Sequence, residues 1–298
     1  MKNKLRKIIK TIYNCFPFKK YIFIVIKFLF NPSQDIYKHL HFKGIFRVKI
    51  NESNSFLIQH YGYELENDLF WKGLEDGWEK TSIKLWQLLS KNANVIFDIG
   101  ANTGLYSLIS KTINPDADVH CFEPIPKVFD KLKNNVNINK YNIHCIQKAV
   151  SDCTGSAIIY LPKNYEHVYS VTVNKNLNNN PTIDLECFEI TTITLYDYIQ
   201  QNNIKKIDLM KIDVETHEFE VLTGMKEYLF SMYPTLLIEI LNNDIAEKIN
   251  RLLKDSDYLF FDIDDKTGII SKKDKIEKSS FYNYLICTQS VAEYLKLI

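Results

Sequence analysis

Acids that close apolar runs, and one glycine turn, are the residues of this 298-residue chain whose types and spacing can do chemistry. The run Val95-Ile96-Phe97 stops at Asp98, and Ile99-Gly100-Ala101-Asn102-Thr103-Gly104 then leads into a helical pattern starting near Leu105. A short apolar run, a glycine turn and a helix make a nucleotide-binding corner. Gly100 and Gly104 have no Cβ, so the chain turns tightly and a ligand can reach the backbone, while Asp98 offers a carboxylate at the strand's end. Glu123 closes the next run, Val119-His120-Cys121-Phe122. It follows the turn by about 20 residues, the distance at which a βαβ unit sets an acid against ribose hydroxyls.

The pattern D-x-G-x-N-x-G differs from the G-x-G-x-x-G that cradles a pyrophosphate, because Asn102 stands where a dinucleotide turn wants glycine. A ligand without a pyrophosphate suits it better, such as S-adenosylmethionine (SAM). The expected cofactor contacts are Asp98, Gly100, Ala101, Asn102, Gly104 and Glu123. Asp152, past a third strand at 143–148, is placed for the adenine amino group; its alternative is turn chemistry before Gly155. Asp213 and Glu215 follow a further strand over 207–213 and are the catalytic candidates. Asp213 is the preferred base for an alcohol's proton, Glu215 the second choice and His217 the third. Capping of the next helix is the alternative role for Asp213. SAM carries its own electrophile, so the protein's task is to hold a nucleophile in line with the methyl group. Glu239 closes another strand near the same edge, yet no Asp, Glu or His spacing demands a metal, and none is assigned.

The motifs FDIGANTGLYS at 97–107, CFEPIPKVFDKLKNNVNIN at 121–139, AVSDCTG at 149–155, LMKIDVETHEFEVLTGM at 209–225 and PTLLIEI at 234–240, in this order, resemble the FkbM-type SAM-dependent methyltransferases. The resemblance implies the α/β fold of a Rossmann-like class I methyltransferase. That fold has a seven-stranded, mostly parallel sheet with helices on both faces and its last strand inserted antiparallel. It also implies O-methylation of a sugar hydroxyl in a glycan or related metabolite. Methylation of another small molecule and a non-catalytic nucleotide-binding module are the alternatives. One position departs from the family: Thr216 stands where glycine usually follows KIDVE. If the backbone there takes a positive φ, threonine is strained.

The elements that must position these groups are legible as alternating strands and helices. Core strands are expected at 95–98, 119–122, 143–148, 207–213, 235–240, 257–263 and 281–288, and helices at 125–139, 194–202, 217–230 and 243–254. Residues 156–191 read as an irregular β insertion with strands at 157–161, 168–173 and 188–192. Before the core, residues 44–61 alternate as a hairpin turning at Asn51–Asn54, and 64–91 read as helical, so that 44–91 form a hairpin and helical cap on the methyltransferase domain at 92–298. The cap's tryptophans, Trp71 and Trp78, are expected to pack, with a place over the cleft as the alternative.

Composition narrows the function. With 46% apolar residues the chain can bury a large core. Of its 37 Lys and Arg, eight fall in residues 1–30, which hold no acid; the rest carries 29 bases against 36 acids. An acidic body argues against nucleic acid and for a small-molecule or glycan acceptor. The six cysteines show no metal-ligand spacing and read as reduced thiols of a cytoplasmic protein. His120 and His144 fall within strand runs, where a structural role is expected. In residues 1–43, Leu5, Ile8, Ile9, Ile12, Tyr13 and Phe16 share one face of a basic amphipathic helix. The apolar run 21–30 is too short to cross a bilayer, which needs about 20 residues. Peripheral contact of residues 1–30 with the inner face of a membrane is expected, with packing on the body as the alternative. Nothing in the sequence bears on the oligomeric state.

Overall fold

The computed structural model describes residues 18–30, 32–162 and 185–298, which form two compact units. The expected helix over 5–16 and the expected strand over 168–173 lie outside these residues. The smaller unit takes the described residues up to Val48 together with Leu57–Trp78, and the larger one takes Lys49–Phe56 with Glu79–Ile298.

The smaller unit runs α1 (Lys19–Phe30), α2 (Gln34–Tyr37), the hairpin β1 (Gly44–Lys49) and β2 (Ser55–His60), then α3 (Glu64–Lys72). The hairpin turns where expected: Asn51 Oδ1 accepts the N–H groups of Ser53 and Asn54, the local bonding that favours Asn in turns. Its core is aromatic, with Phe23, Tyr37, Phe42, Phe46, Phe70 and Trp71 in edge and stacked contacts. Trp71 is therefore a packing residue, as expected, its indole N–H donating to Leu40 O at 3.3 Å. The helical stretch expected at 64–91 is broken. Gly73 takes φ 74° and closes α3, and Glu79 takes φ 53° before the next helix begins.

The larger unit continues with α4 (Lys80–Ser90), β3 (Val95–Ile99), α5 (Leu105–Ile113), β4 (Asp118–Phe122), α6 (Pro126–Asn139) and β5 (His144–Ile146). Next come β6 (Ala149–Val150), β7 (Gly155–Pro162), β8 (Leu185–Ile193), α7 (Leu195–Asn202), β9 (Leu209–Ile212), α8 (Glu218–Thr223) and α9 (Tyr228–Met232). The chain then finishes with β10 (Thr235–Glu239), α10 (Asn243–Leu253), β11 (Leu259–Ile263), β12 (Ile270–Lys273), β13 (Asn283–Cys287) and α11 (Gln289–Tyr294). The main sheet has the order β12-β11-β13-β10-β9-β3-β4-β5. The strands β10, β9, β3, β4 and β5 pair in parallel, and β13 is inserted antiparallel between β10 and β11. Strands β3 and β9 are buried almost throughout, as parallel strands covered on both faces must be, which is why they read as continuous apolar runs.

Eight strands stand where seven were expected. The addition is β12, which folds back on β11 through a turn at Asp264–Gly268, where Asp264 accepts the N–H groups of Lys266 and Thr267. Its sequence, Ile-Ser-Lys-Lys, is half exposed at the sheet edge and carries no apolar alternation. The strand expected at 143–148 divides: β5 stays in the main sheet, and β6 leaves it to pair with β8 in a three-stranded sheet with β7. The helix expected at 217–230 also divides, at Lys226, whose φ is 52°.

Candidate active site

Strand register puts the chemistry in one row. Ile99 pairs with Phe122 on one side and Ile212 on the other, and Ile212 pairs with Ile238. The next residues, Gly100, Glu123, Asp213 and Glu239, therefore stand side by side at the carboxyl edge of four adjacent strands. Strands lie about 4.8 Å apart, so the row spans roughly 14 Å. Open α/β sheets bind ligands at this edge.

At the β3 end, Gly100 (φ 79°), Asn102 (φ 50°) and Gly104 (φ 91°) shape the turn. Asn102 tolerates the left-handed region that its place in the turn requires. The N–H groups of Gly100 and Ala101 both donate to Phe122 O, at 3.0 and 2.9 Å, which fixes the turn to β4. A Cβ on Gly100 would lie 1.8 Å from the Asp213 carbonyl oxygen. Glycine is what lets the turn and the β9 end touch. Asp98 is buried, and its Oδ2 accepts from the backbone N–H and hydroxyl of Ser107 at 2.9 and 2.6 Å, tying β3 to α5. Burial raises the Asp98 carboxyl to about 6, against the opposing Ser107 bonds.

Glu123 is 5% exposed. Its Oε2 accepts the Asn102 N–H at 3.1 Å and its Oε1 the Ile125 N–H at 2.9 Å. Burial pushes this carboxyl up to about 7 even so. A desolvated carboxylate gains from further donors, and a ribose diol supplies two, so the residues present fit the cofactor that the turn implies. Asp152 follows β6, not a strand of the main sheet, and is exposed, its Oδ1 accepting from Ser151 Oγ.

The β9 and β10 ends carry a cluster that sequence reasoning only half found. Lys211 is fully buried and lies 3.4 Å from Asp213 Oδ2. Burial opposes its charge, but the carboxyls of Asp213, Glu79 and Glu239 outweigh that cost and raise it above the ordinary lysine range. Glu79 accepts from Tyr106 OH at 2.6 Å and Asn283 Nδ2 at 2.7 Å, and burial raises its carboxyl. Burial and the charge of Asp213 drive Glu239 far above the carboxylate range. Carboxyls packed this closely cannot all ionise. The buried Lys211 ammonium stands against this group of carboxyls, and burial works against full ionisation of Glu79 and Glu239. The oxygens of Glu79, Asp213 and Glu239 lie within 4.8 Å of one another, and a divalent cation there would compete with Lys211. Glu79 lies some 130 positions before Asp213 in the chain and carries no motif signal, while Lys211 stands inside the KIDVE stretch with nothing in the sequence to mark its charge partners.

The loop after Asp213 is held by Glu218, whose Oε1 accepts the Thr216 N–H at 3.1 Å and the Val214 N–H at 3.4 Å. Glu215 and Thr216 both take positive φ, 53° and 77°. Burial, with Asp213 and Glu218 nearby, raises the Glu215 carboxyl to about 7. His217 precedes α8 as its N-cap, its Nε2 2.9 Å from Ser151 Oγ, and burial lowers its pKa.

A parallel sheet with an antiparallel strand inserted near one edge, a glycine turn after its central strand and an acid after the neighbouring one define a SAM-dependent methyltransferase. More particularly, the chain belongs to the FkbM methyltransferase family, whose domain model, described as methyltransferase FkbM domain, matches residues 98–260. SAM is the methyl donor of this class. Among characterised relatives, methyltransferase sdnD of Sordaria araneosa is 28% identical over 55% of this chain and 73% of its own length. Hexuronic acid methyltransferase AglP of Haloferax volcanii is 26% identical over 60% and 69%. The 31-O-demethyl-FK506 methyltransferase FkbM of Streptomyces tacrolimicus is 29% identical over 45% and 60%.

Proposed function

We propose that this methyltransferase transfers the methyl group to a hydroxyl of a sugar or a similar polyhydroxylated metabolite, with Asp213 as the base. The observation that carries this reading is the contact of the β9 end with the cofactor turn. The Asp213 carbonyl fills the space where a Gly100 side chain would stand, while its carboxylate is about a quarter exposed at the same edge. An acceptor hydroxyl held there loses its proton to the carboxylate as its oxygen forms the new C–O bond. The sulfur keeps the electron pair of the broken S–C bond. Lys211 fixes the carboxylate's position from beneath. The relatives named for a hexuronic acid and for a 31-O position support an oxygen acceptor on a hydroxyl-rich molecule. The body's excess of acids favours an acceptor without strong negative charge.

A second reading assigns the base to Glu215, because a carboxyl raised to about 7 is suited to proton transfer near neutral pH. Turnover of Asp213→Asn and Glu215→Gln on a panel of neutral sugars and hydroxylated metabolites separates the two. With Asp213 as base, its variant keeps SAM affinity and loses on the order of 100-fold or more in kcat, while Glu215→Gln loses far less. Normal turnover of Asp213→Asn overturns the assignment.

We also propose that residues 1–30 rest on an anionic membrane surface. Among the described residues no helix is long and apolar enough to cross a membrane. In α1, Tyr21, Phe28, Leu29 and Phe30 are nonetheless 60% exposed or more, apolar side chains concentrated at the helix's C-terminal end that suit interfacial insertion beside basic residues.

A further inference from the structure

We propose that Asp118, His120 and His144 form a site for one divalent metal ion of the zinc class, at the opposite edge of the sheet from the cofactor row. Asp118 opens β4, and Glu123 follows its carboxyl end, so along the strand Glu123 stands roughly 16 Å from Asp118 and roughly 10 Å from His120.

The pleat puts the three ligands on one face. Asp118 and His120 are two residues apart on β4, and His120 pairs in parallel register with His144 on β5. His120 Nε2 lies 3.1 Å from Asp118 Oδ2, and His144 Nε2 lies 3.1 Å from Asp118 Oδ1. Ligand atoms about 2.05 Å from a tetrahedral zinc ion stand about 3.3 Å apart, close to both separations. All three candidate ligand atoms lie within 4.8 Å of one another.

His120 gives the second, independent observation. It is 3% exposed, and its Nε2 makes no hydrogen bond despite the nearby carboxylate. A buried nitrogen with no aligned partner costs free energy unless something else meets its lone pair. Its other nitrogen, Nδ1, is 2.8 Å from Tyr198 OH on α7. A metal-binding histidine uses just such an outer partner to fix its ring. Asp118 and His144 have half-exposed side chains. The two imidazoles stack with planes 13° apart, so binding a shared ion would turn the half-exposed His144 ring while buried His120 stays fixed. Two imidazoles and a carboxylate suit zinc, cobalt or nickel, whereas magnesium and calcium want oxygen alone. Cys121 and Cys145 each follow one of the histidines and by strand alternation face the other side of the sheet, their sulfurs 3.5 Å apart. They make a rival thiol pair that the test must separate.

Full-length protein, freed of metal by chelator, is titrated calorimetrically with Zn2+ alone and spectroscopically with Co2+. The expected result is one equivalent bound, with a visible cobalt d–d band and a rise in unfolding temperature on adding Zn2+. Zn2+ and Co2+ affinity falls by at least about 10-fold, the lower end of what losing even an outer partner of a ligand costs, in His144→Ala and in Asp118→Asn, while SAM binding stays unchanged. Because both altered side chains are at the surface, at least one variant retains the fold, shown by its SAM binding. Zn2+ affinity equal in wild type and in whichever of these variants folds overturns the proposal. So does binding lost in Cys145→Ser or in Glu239→Gln but kept in His144→Ala, and so does the absence of any bound equivalent.

Discussion

Thr216 sits at φ 77°, in the left-handed region where a β-branched side chain is most strained. The sequence comparison with the family's glycine raised this possibility, and the backbone has the conformation that glycine would take without strain. Left-handed backbone costs an L-residue roughly 1–2 kcal/mol, and glycine returns about 0.5–1 kcal/mol of that as lost chain entropy. Thr216→Gly is therefore expected to raise stability by about 0.5–1 kcal/mol, read from urea unfolding midpoints; a loss of stability would show that the threonine side chain holds the loop. At this scale the sequence exposed Gly100, Glu123 and Asp213, because each closes an apolar run. It hid Lys211 and Glu79. A lysine inside a buried strand reads as an exception until the three carboxyls around it are seen, and Glu79 reaches them from a turn far away in the chain.

Between elements, the tightest coupling is the one between the β3 turn and the β9 end. Any side chain at Gly100 would collide with the Asp213 carbonyl, at 1.8 Å, and would also have to take φ 79°. Gly100→Ala is thus expected to push the two elements apart at a cost of about 1–3 kcal/mol, the usual range for overpacking. The loss should be read in weakened SAM binding and lowered turnover together, and SAM affinity unchanged in a folded variant would contradict it. Core strands and most helices were legible from apolar runs and periodicity. The misses share a cause: β12 is short, polar and at an edge, while the helical stretches at 64–91 and 217–230 are interrupted where the backbone takes positive φ, at Gly73 and Glu79 and at Lys226. Local backbone exceptions of that kind leave the surrounding periodicity intact.

For the whole molecule, charge is divided by sequence position. Residues 1–30 hold eight bases and no acid, ahead of an acidic remainder. Anionic lipid attracts each well-placed Lys or Arg by about 1 kcal/mol, and exposed apolar side chains add insertion. Deleting residues 1–17, which leaves Phe23 in the aromatic core, is expected to weaken co-sedimentation with anionic vesicles and to spare SAM binding, and raised salt should release the intact chain. Equal sedimentation of both proteins would refute a membrane role. The row of Gly100, Glu123, Asp213 and Glu239 belongs to this scale as well. Its members are scattered from one strand end to the next along the sequence, and only the parallel register of four strands lines them up.

SAM is expected to bind at the β3 and β4 members of that row, and the protonation of Glu123 tests this most directly. Burial raises its folded pKa to about 7; below that value it carries a proton, and only the carboxylate form accepts both ribose hydroxyls. SAM binding must then be coupled to loss of that proton as pH rises. Calorimetric titration with SAM at about pH 8 and about pH 6 is expected to show roughly tenfold weaker binding at the lower pH in the wild type, as one group with a pKa near 7 requires. The cofactor's own groups titrate equally in Glu123→Gln, so the pH dependence that disappears in the variant is the part that depends on Glu123. The account predicts weaker SAM binding in Glu123→Gln with that extra pH dependence gone; equal affinity and equal pH dependence in the two proteins would contradict it.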